Sequence, residues 1–207
     1  MQTTFKTLLL FTVLGLVIAK PARCQVKLAI EAGVTYHSND ASDSASHLAD
    51  FFAFTINPRI ILNSSGNSAL ALEIPFSLRA KRNENITNRF GMHLPLLLTY
   101  SIGSGSGGSI EYTSTTRFGA TAGFGWGYFY QRSRSVKTES NVYNENLRSS
   151  GPEIQMGLRF PLKKQMVLFD RERPTSTVLA IKGNYLFNIK NRDRDVSSLS
   201  ILLGFNF

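Results

Sequence analysis

His37 and Ser38, in the stretch YHSND at residues 36–40, place a hydroxyl beside an imidazole base, the pairing nucleophilic chemistry requires. The stretch continues an alternating run. Neighbours on a strand point to opposite faces, so these two side chains do not share a proton there. A polar loop edge is the reading their spacing supports, and no catalytic residue is expected. His93 stands alone on the polar side of another alternating run and reads as a hydrogen-bonded interior histidine. Asp40, Asp43 and Asp50 lack the spacing of a calcium loop. The glycines of GATAGFGWGY, residues 119–128, carry neither a GKS nor a GxGxxG pattern. No metal site and no cofactor is therefore expected, and these glycines serve to let a strand bend or a neighbour approach closely.

The other residues able to do chemistry are eight charges: Lys27, Glu31, Arg59, Glu73, Arg79, Glu153, Arg159 and Lys182. All lie on the polar side of alternating runs whose opposite side carries bulky Leu, Ile, Phe, Tyr and Trp and no charge. If that polar side faces a narrow interior, the charges must pair, because an uncompensated buried charge costs several kcal/mol. A plug of ion pairs is the expected outcome. A narrow ion path with slight anion preference is the other reading, suggested by the excess of basic groups.

The elements that hold these groups are strands, since period 2 recurs throughout and period 3.6 does not. Eight runs are legible, centred on residues 26–36, 51–62, 70–79, 90–100, 118–130, 153–162, 179–189 and 199–207. Polar or Gly- and Ser-rich stretches separate them, including a long one at 131–150. Pro58, Pro75, Pro95 and Pro161 fall inside the runs, and each removes a ladder hydrogen bond, so bulges or misplaced strand boundaries are expected there.

Residues 1–24 read as a cleaved export signal, with Lys6, the apolar run LLLFTVLGLVIA and a break at KPARCQ. The run is shorter than the ~20 residues of a spanning helix. Residues 25–207 then form one domain. Cys24, the single cysteine, precedes the break; lipid attachment there is a lesser alternative, against which Arg23 argues. The formal net charge of +9 falls by three with the signal and is dispersed, which excludes the concentrated basic face of a nucleic-acid binder.

Eight strands close into a barrel whose interior is just wide enough for side chains to fill. Bulky apolar residues suit the outside of such a barrel and glycines and paired charges the inside, which is the arrangement of a transmembrane barrel. Runs of about ten residues match the ~9 to 11 that cross the hydrocarbon when tilted. The fold class expected is all-β, an eight-stranded antiparallel up-and-down transmembrane β-barrel. A soluble lipocalin-like carrier, which would line its cavity with the bulky side, is an alternative.

The chain ends in SILLGFNF, with Leu199, Ile201, Leu203, Phe205 and Phe207 alternating up to a terminal phenylalanine. These residues resemble the carboxy-terminal strand by which bacterial outer-membrane barrels are recognised by their assembly machinery. The chain from residue 25 resembles the small eight-stranded outer-membrane β-barrel family, of Bacteroidetes type. That resemblance implies a multi-pass protein of the bacterial outer membrane, non-enzymatic, with a plugged polar lumen and a structural or surface-interaction role. Its implied partners are outer-membrane lipid and lipopolysaccharide, the barrel assembly machinery, and a surface or secretion partner. Basic residues at the presumed outer end, among them Lys81, Arg89, Arg132, Arg134, Arg148 and Lys190, would meet lipopolysaccharide phosphates or simply solvent. A lipid-modifying hydrolase is the alternative from another class, since lipid A deacylases are eight-stranded barrels with a His and Ser pair near the rim. In that family the two are separated by one residue in a late strand, unlike His37 and Ser38.

Overall fold

The computed structural model describes residues 27–39, 50–65, 68–82, 87–106, 118–138, 141–166, 175–190 and 195–206. The expected signal at 1–24, with Cys24, and also Asp40, Asp43 and Phe207 lie outside them. The strands are β1 (Lys27–Asn39), β2 (Phe51–Ser65), β3 (Ser68–Glu73), β4 (Phe76–Arg82), β5 (Thr87–Gly103), β6 (Gly119–Thr138), β7 (Asn141–Met166), β8 (Thr175–Leu186) and β9 (Val196–Asn206). Each pairs antiparallel with its neighbours, and β1 pairs with both β2 and β9, so the sheet closes on itself. β3 and β4 occupy one place between β2 and β5, parted at Ile74–Pro75, so the described segments build eight staves. The protein is a closed eight-stranded antiparallel β-barrel.

The break in that stave has a cause in the sequence. Glu73 pairs with Leu97 and Ser77 with His93, which sets Pro75 opposite Pro95. Arg59 pairs with Glu73 and Ile56 with Phe76, which brings Pro58 to the same level. Three residues without an N–H thus share one short zone, so the missing ladder bonds are gathered at one level of the wall. The Ile74 N–H donates to the Pro58 carbonyl at 3.2 Å. Bulges do not form at Pro58 or Pro95, which stay in register with Ile30 and Gly127. The register shifts lie at Ile61/Asn63, Val136/Thr138 and Leu162/Met166, and only the last adjoins a proline of the runs, Pro161.

The stretch 131–150 is not a loop. β6 and β7 continue through it as one long hairpin, paired from Gly119↔Arg159 to Thr138↔Asn141. Where its side chains are described, the outward face there carries Arg132, Asn146 and Arg148 and the inward face mixes Gln131 and Ser149 with the apolar Leu147, so the clean alternation of the other strands is absent.

The wall separates two kinds of residue. Outward stand Phe52, Phe54, Leu96, Tyr100, Phe124, Trp126, Met156 and Ile201, all more than 40% exposed, with comparable side chains on the other staves. Among the described residues no charged side chain interrupts this belt; the outward charges stand at its edge, with Arg132 and Arg148 on the hairpin and Asp50 and Asp195 accepting from the Tyr36 and Tyr185 hydroxyls. From Phe118 to Tyr128 the belt climbs roughly 25 Å along the barrel axis, at ~3.3 Å per residue and a tilt of about 40°.

Candidate functional site

Among the described residues, chemistry-bearing side chains converge in the interior, and the closed wall dictates who meets whom. Every second residue of each stave points inward, so groups far apart in the chain meet across the lumen.

Near the rim that holds the start of β1 and the end of β9, Ala29, Ile61, Ala69 and Ala71 form a small apolar layer. Above it lie Glu31, Arg59, Glu73, Arg159 and Lys182, all at least 98% buried. Lys182 Nζ is 2.6 Å from Glu31 Oε2 and 2.6 Å from Glu73 Oε2. Arg59 Nε is 2.7 Å from Glu73 Oε1, and Arg159 Nη1 is 2.6 Å from Glu31 Oε1. Asn57 Nδ2 donates to both glutamates, at 2.8 and 3.0 Å. Thr99 and Gln155 donate to Glu73, and Arg59 Nη2 donates to Ser101. Arg159 Nε donates to the carbonyl of Gly105 at 2.8 Å, tying the connection after β5 to the cluster. Left-handed φ values of 87° at Gly103 and 76° at Gly105 make that tight turn possible.

A chain of hydroxyls follows. Thr35 lies 2.6 Å from Thr55 and 2.8 Å from Ser200, and Thr55 lies 2.7 Å from Ser77. Next comes a second polar group, with Glu153 held by His93 Nε2 at 3.0 Å and by Asn184 Nδ2 at 2.7 Å. Gly127 makes room for that carboxylate, since a Cβ at 127 would overlap Glu153 Oε2. An apolar layer of Phe51, Ala53, Phe129, Leu147, Leu186 and Val196 closes the other end. Arg79 lies there, with Cζ 5.4 Å from the centre of the Phe51 ring.

Five of the eight charges singled out in the sequence therefore meet in one cluster, and Glu153 forms a separate group. Arg79 stands with the aromatic layer. Lys27 is half-buried at the start of β1 and makes no ion pair with the described residues. Two histidine readings are corrected. His37 is not at a loop edge but inside the barrel, 1% exposed, with its ring 5.1 Å from that of His93. His93 is the hydrogen-bonded interior histidine expected, but it is not alone. β1 and β5 are not neighbours, so nothing local in the sequence signals that meeting. Ser38 lies on the opposite face from His37, and no group of three potential metal ligands occurs among the described residues. The inward Phe51, Phe129, Leu147 and Leu186 were also not legible, being of the same residue types as the outer belt.

No protein-family profile and no curated protein matches the chain. Solved structures do. Ail, the attachment invasion locus protein of Yersinia pestis, in complex with the heparin analogue sucrose octasulfate, superimposes with a TM-score of 0.52 at 12% identity over 88% of this chain and 97% of that one. Ail without that ligand gives 0.52 at 11% identity over the same shares. Neisserial surface protein A gives 0.47 at 10% identity, over 87% and 95%. At these identities the likeness is one of fold, the closed barrel.

Proposed function

We propose that this chain is a non-enzymatic integral protein of the bacterial outer membrane, exported by a signal at residues 1–24, with a sealed lumen and a structural or surface-interaction role. The observation that carries the reading is the belt of large apolar side chains, free of charge among the described residues, around a wall whose buried charges point inward. Water would penalise that belt at about 25 cal/mol for each Å² left wet, whereas hydrocarbon accepts it. Its height of roughly 25 Å matches the apolar band of membrane barrels. Closure gives every stave two neighbours, as a medium without hydrogen-bond donors requires.

The layers of the interior support a plug rather than a pore. A cavity lined by bulky apolar groups, as a soluble carrier would need, is not what the inward residues build. Hydrolysis at His37 has no support, because Ser38 faces outward and His37 is packed among Phe51, Phe129 and His93. At the β9 end, Leu199, Ile201 and Leu203 face outward and half exposed, in keeping with an assembly signal read by the barrel assembly machinery.

The test is fractionation of expressing cells, followed by gel mobility with and without boiling. Recovery in the outer membrane with a heat-dependent shift supports the reading. A soluble protein whose mobility ignores heat overturns it. Bilayer recordings of the purified barrel should show no conductance steps, and stable ion steps would replace the plug by a channel.

A further inference from the structure

We propose that Arg159 and Arg59 hold a small monovalent anion of the halide class beside Glu31, in the ionic layer of the lumen. The inference rests on the sealed lumen of the reading above and names an ion that the seal encloses.

Charge is the first argument. Arg59, Arg159 and Lys182 bring three positive charges into a layer where, among the described residues, Glu31 and Glu73 bring two negative ones, and none of the five is more than 2% exposed. Lys182 Nζ lies 2.6 Å from each carboxylate, so both are engaged before the arginines are counted. Glu153 belongs to the next layer and is held there by His93 and Asn184. One cation is therefore in excess, and an uncompensated buried charge costs several kcal/mol.

The hydrogen bonds place that excess on the two arginines. Arg159 Nη1 and Arg59 Nη1 share one oxygen, Glu31 Oε1, at 2.6 and 4.0 Å. Arg159 Nε donates to the neutral carbonyl of Gly105, and Arg59 Nη2 donates to the Ser101 hydroxyl. Arg159 Nη2 and Arg59 Nη1 have no hydrogen-bond acceptor, and Arg159 Nη1 is close to Glu31 without being aligned to it. Because both groups reach for the same oxygen, their free N–H groups are near enough to meet one ion. The amide oxygens of Asn57 and Gln155 are also unbonded, but a neutral dipole does not balance a charge.

The surroundings set the kind of anion. Gly204 is an inward position of β9 with no side chain, and a Cβ there would stand 3.7 Å from Glu31 Oε1, so the wall is bare beside that oxygen. A sulfate or a doubly charged phosphate would overshoot a single excess charge and add oxygens that need donors of their own. A halide balances the layer and accepts charge-assisted bonds from the free guanidinium N–H groups.

The experiment refolds the full barrel from urea into non-ionic detergent with bromide present, removes free ion by gel filtration into gluconate, and counts retained bromide by mass spectrometry. The wild type should keep one bromide per barrel, matching the excess charge. Lys182→Met makes the layer neutral and should keep about tenfold less, as should Arg159→Gln, which removes donors and charge together. Lys190→Gln alters an exposed cation and should leave the count unchanged. The heat-dependent gel shift verifies that each variant is folded. Diffraction at the bromide edge from wild-type crystals locates the ion with no variant at all, and decides the matter if the substituted barrels do not fold; a peak against the Arg159 guanidinium is expected. A wild type that keeps no bromide, or water alone beside Arg159, overturns the site while leaving the seal standing. Retention unchanged in both Lys182→Met and Arg159→Gln, or peaks on the outer surface alone, means an adventitious ion only and also overturns it. Stable ion steps in bilayer recordings remove the sealed lumen itself.

Discussion

Arg59 and Glu73 are directly opposed across β2 and β3, and Arg59 Nε meets Glu73 Oε1 at 2.7 Å with both side chains fully buried. Their pairing is the local part of a cluster that Arg159 and Lys182 complete from across the lumen. Three cations share two carboxylates there, so the partners are not equivalent. Glu73→Ala leaves Arg59 and Lys182 short of an anion and should cost about 3–5 kcal/mol. Lys182→Met removes the surplus cation and should cost less. Urea unfolding of the two variants in lipid vesicles measures both; a Lys182→Met loss larger than that of Glu73→Ala would contradict the charge balance described.

Gly125 sits where β6 approaches β5 so closely that a Cβ would overlap the backbone carbonyl of Leu96. The neighbour is main chain and cannot rotate away. Gly125→Ala should therefore destabilise by about 1–3 kcal/mol, as overpacking does. Gly183 is the control, since a Cβ there meets nothing nearer than the Ser198 carbonyl oxygen at 3.9 Å. Gly183→Ala should be neutral or stabilising by up to about 1 kcal/mol, because alanine restricts the unfolded chain. Equal losses for the two variants would show that the close approach at Gly125 does not matter.

The apolar and ionic layers seal the lumen separately. Phe129, fully buried against Phe51 and the two histidines, should cost about 3–5 kcal/mol when replaced by alanine. Conductance should stay absent in that variant, because the Glu31–Arg59–Glu73–Arg159–Lys182 cluster still closes the passage. Ion steps in Phe129→Ala bilayer recordings would mean that the aromatic layer alone is the barrier.

The wall was readable from the sequence because lipid or water on one side and a narrow interior on the other impose period 2. Leu94, Leu96, Leu98 and Tyr100 show that period plainly, as do Leu199, Ile201 and Leu203. Where β6 and β7 rise beyond the belt, the outward face need not be apolar, and Gln131 to Ser150 reads as loop although its described residues are strand. Facing was recoverable for the charges, since only one side of each run could hold them. Partnership was not. Lys182 and Glu31 meet because β8 and β1 curve round one lumen, a relation set by closure rather than by any spacing along the chain. The same holds for His37 and His93.

Trp126 is the chain's single tryptophan and lies half exposed on the outward wall, with its ring nitrogen bonded to Ser150. Its fluorescence in vesicles made with brominated lipids reports directly whether that wall meets hydrocarbon. The membrane-barrel reading predicts strong quenching, greater with bromine near the headgroup end of the acyl chain than with bromine near its middle. Emission indifferent to bromine at every depth would mean that the apolar belt does not face lipid, and the central reading would be wrong.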